Sequence, residues 1–201
     1  MSNENDGYPL GSPPDRILKA GRKLFFARGF EAVTTDVLAK EAAVSKATLY
    51  KYFPNMGAVL RAVTVAEGAT FEAGVPTEVE TIEDLRVALT LYGTNLLEFL
   101  NRPEVLQFSA LMYEEARRHP EVAAQFYEAA YGHTLAFVEA LIAQALRKSI
   151  VDKTLSAREL AEQLVGMWEG IPMVRAHLGV AAKPFPQPRV WSKRCVATLL
   201  A

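Results

Sequence analysis

Apolar residues recur along most of the chain at the three- and four-residue spacing of an α-helix. The first run places Ile17, Leu24 and Phe25 on one face, and Gly29 is positioned to end the helix. No segment alternates polar and apolar residues over the length of a strand. Eight further helices are predicted over the approximate ranges 35–42, 46–52, 54–72, 81–100, 103–118, 121–148, 156–178 and 189–200. The pattern therefore predicts an all-α protein with about nine helices.

Prolines, glycines and polar loops divide the predicted helices into groups. Residues 1–14 contain two glycines and three prolines and are predicted to form a mobile tail. The loop GVPTEVET, at 74–81, separates the N-terminal helices from the rest of the chain. The predicted organisation is a tail at 1–14, an N-terminal domain at 15–62 and a C-terminal domain at 63–201.

Charge is distributed unevenly along the chain. The formal net charge is −1, but the stretch from Arg16 to Lys51 contains eight basic and three acidic residues. That stretch carries about +5, and the remainder carries about −6. A local excess of positive charge predicts a polyanionic partner for the N-terminal domain alone.

Cysteine usage and hydropathy restrict the compartment. Cys195 is the one cysteine in the sequence, so the chain cannot form an internal disulfide, and a packing role is the ordinary one for such a residue. The N-terminus is polar and acidic and lacks the apolar stretch of a signal peptide. No uncharged apolar run reaches the length of a membrane span. We expect a cytoplasmic protein without a membrane segment.

The segment TTDVLAKEAAVSKATLYKYF, which begins at Thr34, contains two short helix patterns joined by a turn of three or four residues. Threonine at the first helix and Ser45 at the second are suitable N-caps. Ala39 and Ala43 are small enough to let the two helices cross closely. This arrangement predicts a helix-turn-helix, whose second helix enters the major groove of DNA.

The outward positions of that second helix carry lysines and hydroxyl groups. Such groups, together with N–H groups at a helix start, bind phosphates, and Thr48 can also contact a base edge or a thymine methyl. Two lysines considered alone are typical of a solvated helix. The short turn, the caps and the basic first helix together favour DNA binding. The candidate DNA-binding residues are Thr34, Thr35, Lys46, Ala47, Thr48, Tyr50, Lys51 and Tyr52.

These residues carry a resemblance to a known family. The stretch TTDVLAKEAAVSKATLYKYFPN, preceded by ILKAGRKLFFARGFEAV, resembles the DNA-binding region of TetR-family regulators over about 15–62. The resemblance implies an N-terminal three-helix DNA-binding domain, a C-terminal helical domain for ligand binding and dimerisation, and a homodimer. It also implies a palindromic double-stranded operator that is released when a small hydrophobic effector binds. It places Thr35 on a phosphate and packs Phe53 against the first helix.

Two departures from the family pattern affect these expectations. The turn has Ala43 where the family often has glycine, and a left-handed alanine carries a strain of roughly 1 kcal/mol. After YFP the chain reads NMG at 55–57, where the family usually has a lysine that faces phosphate. That phosphate contact is therefore not predicted here, although Asn55 can cap the next helix.

The C-terminal part resembles a subgroup of the family, the AefR-like regulators, through EEARRHPEVAAQFYEAAYGHTLAFVEALIAQALRKS and AEQLVGMWEG. The predicted helix 121–148 is apolar on most sides, which is typical of a buried helix. Its aromatic residues belong either to a core or to the wall of a ligand cavity, and His133 allows the same two interpretations. The candidate ligand-binding residues are Tyr92, Phe108, Met112, Tyr113, Tyr127, Tyr131, His133 and Trp168.

The last two helices are predicted to form the dimer interface. Gly166 and Gly170 are four residues apart and permit close approach of another helix, and Pro172 is expected to kink the helix that contains them. Two such helices from each chain would form a four-helix interface. The candidate interface residues are Leu160, Leu164, Ile171, Trp191 and Leu199.

The sequence contains few residues that favour a catalytic or a metal-binding site. Glu115 and His119 share a helix face, but without a third ligand an exposed ion pair is the favoured interpretation. No phosphate-binding glycine loop is present. We predict no enzyme activity, no cofactor and no metal. A DNA-binding regulator that needs no small ligand, or that activates transcription, is the alternative to a ligand-released repressor.

Overall fold

The computed structural model describes residues 8–152 and 154–201, and these residues are helical without strands. A π-helical turn, Glu128–Gly132, joins two α-helical segments without a break, so the described part of the chain forms nine helices. The predicted all-α class is confirmed. The segments are α1 (Pro13–Arg28), α2 (Thr35–Glu41), α3 (Lys46–Tyr52), α4 (Met56–Glu72), α5 (Ile82–Leu100), α6 (Pro103–Glu115), α7 (Pro120–Tyr127), α8 (His133–Arg147), α9 (Ala157–His177) and α10 (Pro188–Leu199).

The chain forms two compact units. The N-terminal unit comprises residues up to Ala69 together with Gln107–Ala130, and the C-terminal unit comprises Thr70–Leu106 together with Tyr131–Ala201. The N-terminal unit thus includes part of the sequence beyond 62. Of the predicted 1–14 tail, residues 1–7 lie outside the described residues, and α1 already begins at Pro13.

The N-terminal unit is built around α1. Ile17 and Phe25 on this helix are fully buried, as are Leu38 on α2 and Leu49 on α3. Phe53, directly after α3, is also buried. Their burial fixes the angles between α1 and the two short helices α2 and α3.

The C-terminal unit packs α5 against α8, α9 and α10. The two longest helices of this unit, α5 and α9, both begin with a capping box. Thr81 forms one with Asp84 at the start of α5, and Ser156 forms one with Glu159 at the start of α9. Residues of α5 lie at the centre of the core, because the face that contains Leu89 and Leu97 is fully buried.

Helix α9 is interrupted near its middle. Gly170 has non-helical dihedral angles (φ 18°, ψ −135°), and Pro172 follows it. Proline has no N–H, so the carbonyl of Trp168, four residues before it, loses its helical partner. The indole Nε1 of Trp191 donates a hydrogen bond to that carbonyl at 3.0 Å. Helix α10 therefore stabilises the predicted kink.

Candidate nucleic-acid interface and ligand site

Both predicted caps of the helix-turn-helix are confirmed. The Thr34 hydroxyl accepts a hydrogen bond from the N–H of Val37 at 3.3 Å, and the Ser45 hydroxyl accepts one from the N–H of Thr48 at 3.0 Å. The chain therefore starts α2 and α3 at defined residues. Backbone N–H groups at the N-terminus of a helix commonly bind phosphate.

The turn between α2 and α3 differs in one respect from the expected packing. Ala39 is buried as predicted, but Ala43 is exposed, and its neighbour Ala42 is the second small residue in the helix crossing. Ala43 has a φ of 51°, so it occupies the left-handed region that alanine adopts at a cost. The inward assignment of Ala43 was wrong because the left-handed turn points its side chain to solvent.

The candidate DNA-binding side chains of α3 form an open surface. Lys46, Ala47, Tyr50, Lys51 and Tyr52 are exposed, and Thr48 is half-buried. They surround Leu49, which is the one buried residue of this seven-residue helix. The remaining surface is available to a large partner.

Helix α2 contributes to the same surface. The hydroxyls of Thr35 and Tyr50 are 3.0 Å apart and share a hydrogen bond. The Lys46 ammonium lies 2.7 Å from a carboxylate oxygen of Asp36, and this hydrogen bond raises the pKa of Lys46. Both pairs join the start of α2 to α3. Lys46 must exchange Asp36 for a phosphate oxygen if it contacts DNA.

The segment after α3 matches one sequence expectation and contacts a glutamine of α7. Asn55 Oδ1 accepts a hydrogen bond from the N–H of Ala58 at 2.8 Å, so the predicted cap of α4 is confirmed. A side chain at Gly57 would begin 2.6 Å from Oε1 of Gln125. A larger residue at this position would require the side-chain amide of Gln125 to move.

Glu115 has a role that the sequence interpretation missed. Its side chain is buried, and Oε2 accepts hydrogen bonds from the N–H groups of Phe30 (3.1 Å) and Glu31 (3.3 Å). A Cβ atom at Gly29, which has a φ of 81°, would lie 2.6 Å from Oε1 of the same carboxylate. The predicted exposed pair with His119 is therefore wrong. Glu115 instead binds the loop between α1 and α2.

Other contacts join the same part of the chain to α1 and its loop. The rings of Phe26 and Phe108 are stacked at 4.6 Å, and Arg118 forms an ion pair with Glu31 at 3.0 Å. Phe108 and Met112 are accordingly buried within the N-terminal unit. Two other candidate ligand residues of this unit, Tyr113 and Tyr127, are about half-exposed.

The other four candidate ligand residues belong to the C-terminal unit. Tyr92 and Trp168 are fully buried, whereas Tyr131 and His133 remain partly accessible. The Tyr92 ring is stacked on Phe137 with centroids 4.6 Å apart. The structure thus brings Tyr92, Tyr131, His133 and Trp168 into one unit.

Two glutamates, which the sequence pattern did not single out, lie among these residues. Glu72 forms an ion pair with His133, and the hydrogen bond raises the pKa of that histidine. Burial raises the pKa of Glu169 to about 7, and a hydrogen bond from Tyr131 opposes the rise. The signal available in the sequence was a single acid inside the otherwise uncharged stretch LVGMWEGIPMV, directly before Gly170 and beside Trp168.

The candidate dimer residues fall into two groups. Leu160, Leu164 and Leu199 pack into the core of their own protomer, and Trp191 packs partly against that core, whereas Ile171 is 61% exposed. Gly166 and Gly170 face open space, because no atom lies within 4 Å of the position that a Cβ atom would occupy at either residue. Val174 continues this open face and is 50% exposed. The open side of α9 is therefore formed by the glycines, Ile171 and Val174.

Membrane and metal sites find no support in the part of the chain that the structure describes. None of its helices combines the length and apolarity needed to cross a bilayer. The same residues contain no cluster of three or more histidine, cysteine or acidic side chains that would hold a metal ion.

A capped helix-turn-helix on an all-α frame, with a second helical unit, defines a DNA-binding regulator and not an enzyme. Residues 17–63 match the family described as "Bacterial regulatory proteins, tetR family". Residues 87–201 match the family described as "AefR-like transcriptional repressor, C-terminal domain". The chain therefore belongs to the TetR family of transcriptional regulators, with an AefR-like C-terminal domain.

Several curated proteins are similar in sequence. The nucleoid occlusion factor SlmA of Haemophilus influenzae is 32% identical over 151 residues, which cover 71% of this chain and 65% of SlmA. The regulator YdeS of Bacillus subtilis is 38% identical over 88 residues, or 44% of this chain and 42% of YdeS. The chain thus spans less than two thirds of these relatives' lengths. YvkB of Bacillus subtilis is 26% identical over 87% of this chain and 89% of its own length.

Solved structures share the fold along nearly the whole chain. A TetR regulator from Agrobacterium tumefaciens has a TM-score of 0.74 at 22% identity, covering 94% of this chain and 93% of its own. The flavonoid-responsive regulator FrrA has a TM-score of 0.70 at 26% identity, covering 95% and 94%. The Bacillus subtilis regulator FadR, solved with stearoyl-CoA, has a TM-score of 0.68 at 15% identity, covering 92% and 97%.

Proposed function

We propose that the protein is a homodimeric repressor that binds a palindromic operator through α2 and α3 and releases it when a small, largely apolar effector binds the C-terminal unit. The observation that carries the gating part is the set of buried polar groups beside Tyr92. The Tyr92 hydroxyl and the Trp168 Nε1 are buried and form no hydrogen bond of good geometry. Such atoms are costly in a pure core and useful in a ligand site.

The DNA-binding part rests on the α3 surface. Lysines, hydroxyls and the N–H groups at two helix starts would hold phosphates on either side of a groove. Tyr50 is exposed and Thr48 is half-buried, and their hydroxyls would contact base edges. Lys46 and Asp36 would separate on binding, since a phosphate competes for the same ammonium.

The dimer is proposed to form through the open side of α9 with the adjacent face of α10. Gly166 and Gly170 leave room for a close helix, and Ile171, Val174 and Val190 offer exposed apolar surface. A dimer formed in this way has two α3 helices, one for each half of a palindrome.

Gating requires that the effector bind one arrangement of the dimer more tightly than the other. A coupling free energy of about 1–3 kcal/mol is typical and would weaken operator binding roughly 5- to 150-fold. Helix α4 follows α3 directly and ends at Glu72, the partner of His133. A change at this residue on effector binding is a direct route to the spacing of the two α3 helices.

Relatives support small-molecule gating in general terms. The similar structure FrrA is described as flavonoid-responsive, and FadR was solved with an acyl-CoA. The similarity to SlmA favours a second candidate function, because SlmA is a nucleoid occlusion factor. In that case the chain would bind DNA without gating by a small molecule.

The variant Tyr92→Phe tests the gating proposal. Removal of a buried hydroxyl without a good partner should leave folding stability unchanged or raise it by about 1 kcal/mol. Operator affinity should stay at the parent level, whereas release by an active effector from a phenol and metabolite panel should weaken at least tenfold. Tyr8→Phe, at an exposed tyrosine of the N-terminal unit, is the matched control. Failure of every panel compound to release the operator from the parent would favour the ungated alternative.

A further inference from the structure

Asp36 places a carboxylate beside the surface that is proposed to bind a polyanion. One of its oxygens lies 2.7 Å from the Lys46 ammonium, and the two side chains are 74% and 56% exposed. Asp36 belongs to the first turn of α2, and Lys46 is the first residue of α3. The ion pair therefore connects the two helices on the solvent side, where Lys46 would meet DNA.

This ion pair contributes little to the fold. Both partners are largely solvated, and exposed ion pairs add little to stability. The packing of α2 and α3 rests on Leu38 and Leu49, which are fully buried. We therefore expect the carboxylate of Asp36 to act on binding and not on folding.

The other acids of the basic N-terminal stretch have partners away from α3. Glu41, at the opposite end of α2, lies 2.6 Å from the ammonium of Lys23 on α1. Glu31 pairs with Arg118 at 3.0 Å. The carboxylate of Asp36, in contrast, is directed to a lysine of the helix that is proposed to enter the groove.

Asp36 and a DNA phosphate compete for the same ammonium group. If Lys46 moves to a phosphate oxygen, Asp36 loses its cation close to a polyanion, and like charges repel. If Lys46 stays with Asp36, it neutralises no phosphate. Asp36 therefore opposes contact with the DNA backbone, on which binding to non-specific DNA depends.

A suitable base sequence can offset this cost. In the major groove the N4 amino group of cytosine is a hydrogen-bond donor, and aspartate and glutamate accept from it. An acid that meets this donor is compensated, whereas an acid that meets only phosphates and carbonyl oxygens is not. Unfavourable contact with the wrong partner is a recognised source of specificity.

We propose that Asp36 is a specificity-determining residue, which weakens binding to DNA in general and accepts a hydrogen bond from a cytosine N4 amino group in each half of the operator. This inference rests on the proposed DNA-binding function. It adds a residue that discriminates between sequences to a surface whose other candidates are donors and cations.

Asp36→Asn tests the proposal, because it removes the charge and keeps the shape of the side chain. The parent and the variant each select duplexes from a random library. Their affinities for the parent's operator and for a non-operator duplex are then measured over a range of salt concentrations. We expect the variant to bind the non-operator duplex about tenfold more tightly, with a slope of log affinity against log salt that is steeper by up to about one. The ratio of operator to non-operator affinity should fall about tenfold. A cytosine that the parent selects in each half-site should give way to another base.

Glu41→Gln is the matched control, since it removes one negative charge from an ion pair at the other end of the same helix. It should keep the parent's ratio of operator to non-operator affinity and its selected cytosine. An equal change in Glu41→Gln would show that only the net charge matters and would overturn the role of Asp36.

The remaining outcomes separate this inference from the DNA-binding proposal. A parent that selects no duplex would overturn both. A parent that selects an operator, together with an Asp36→Asn protein of unchanged ratio, salt slope or selected sequence, would overturn the role of Asp36 alone. Circular dichroism and urea denaturation verify that both variants fold as the parent does.

Discussion

The carboxylate of Glu115 accepts a hydrogen bond from the backbone N–H of Phe30 at 3.1 Å, although the two residues are 85 positions apart. This bond fixes the loop that leads from α1 to Thr34, the cap of α2. Glu115 and its neighbours therefore hold the candidate DNA-binding threonines in place from outside the 15–62 segment.

Replacement of Glu115 by alanine should loosen this loop. Two backbone N–H groups lose a charged acceptor, and the expected loss in unfolding free energy is about 2 kcal/mol. Amide hydrogen exchange at Phe30 and Glu31 should accelerate more than exchange in the C-terminal unit. Glu114→Ala, at the exposed neighbouring residue, is the control. Unchanged protection of the two amides would show that the bond does not hold the loop.

Ala43→Gly should stabilise the protein by up to about 1 kcal/mol, because glycine adopts the observed φ of 51° without strain. Ala42→Gly, one residue earlier, should have the opposite effect, since Ala42 has helical dihedral angles and is buried. Urea denaturation of both variants provides the comparison. Destabilisation by both substitutions to a similar extent would argue against a strained turn.

Val174→Glu should produce a folded monomer with weaker operator binding, because Val174 lies on the open face of α9 and contributes little to its own core. Leu164→Glu is the contrasting variant. Leu164 is fully buried in the protomer, so the charge should unfold the protein and not merely dissociate it. Sedimentation velocity and circular dichroism distinguish the two results. A Val174→Glu protein that remains dimeric would place the interface elsewhere.

Stability should fall as the pH rises from about 5 to about 8. The folded pKa of Glu169, about 7, exceeds its ordinary value of 4.5, so the folded state holds this proton more tightly than the unfolded state does. The stabilisation is complete below the unfolded pKa and declines as the pH passes the folded pKa, with a magnitude on the order of 3 kcal/mol.

His133 acts in the same direction, because Glu72 raises the pKa of its folded form above 6.5. Its contribution is present below that value and disappears above its raised pKa. Denaturation of the parent and of Glu169→Gln across this range isolates the glutamate. A pH-independent difference between the two proteins would show that Glu169 does not titrate in the predicted window.

The sequence predicted the helices well because their end signals are local. Ser45 caps α3, Gly29 ends α1 and Pro172 kinks α9 through chemistry that extends only a few residues. Long-range partners were not readable in the same way. The spacing of Glu115 and His119 on one helix gave no sign of an N–H group 85 residues away.

The apolar faces of the C-terminal helices showed a related ambiguity. The four-residue spacing of Leu160 and Leu164 indicates that both are buried. It does not indicate whether they pack against their own protomer or against a second copy. Glu169 was overlooked because an acid in a helix is usually solvated. Its burial depends on the packing of the C-terminal unit, which the spacing of residues along α9 does not reveal.

Operator binding as a function of salt tests the central claim most directly. The duplex is selected by the protein from a random library, and affinity is measured for the parent, for Lys51→Ala and for the combined replacement of Lys46, Tyr50 and Lys51 by alanine. Lys51→Ala should weaken binding and lower the slope of log affinity against log salt by about one for each phosphate that the variant no longer neutralises. The combined variant should fail to bind the operator, while Lys183→Ala, at an exposed lysine of the C-terminal unit, should match the parent. Parent-level affinity and slope in the combined variant would contradict DNA recognition through α3.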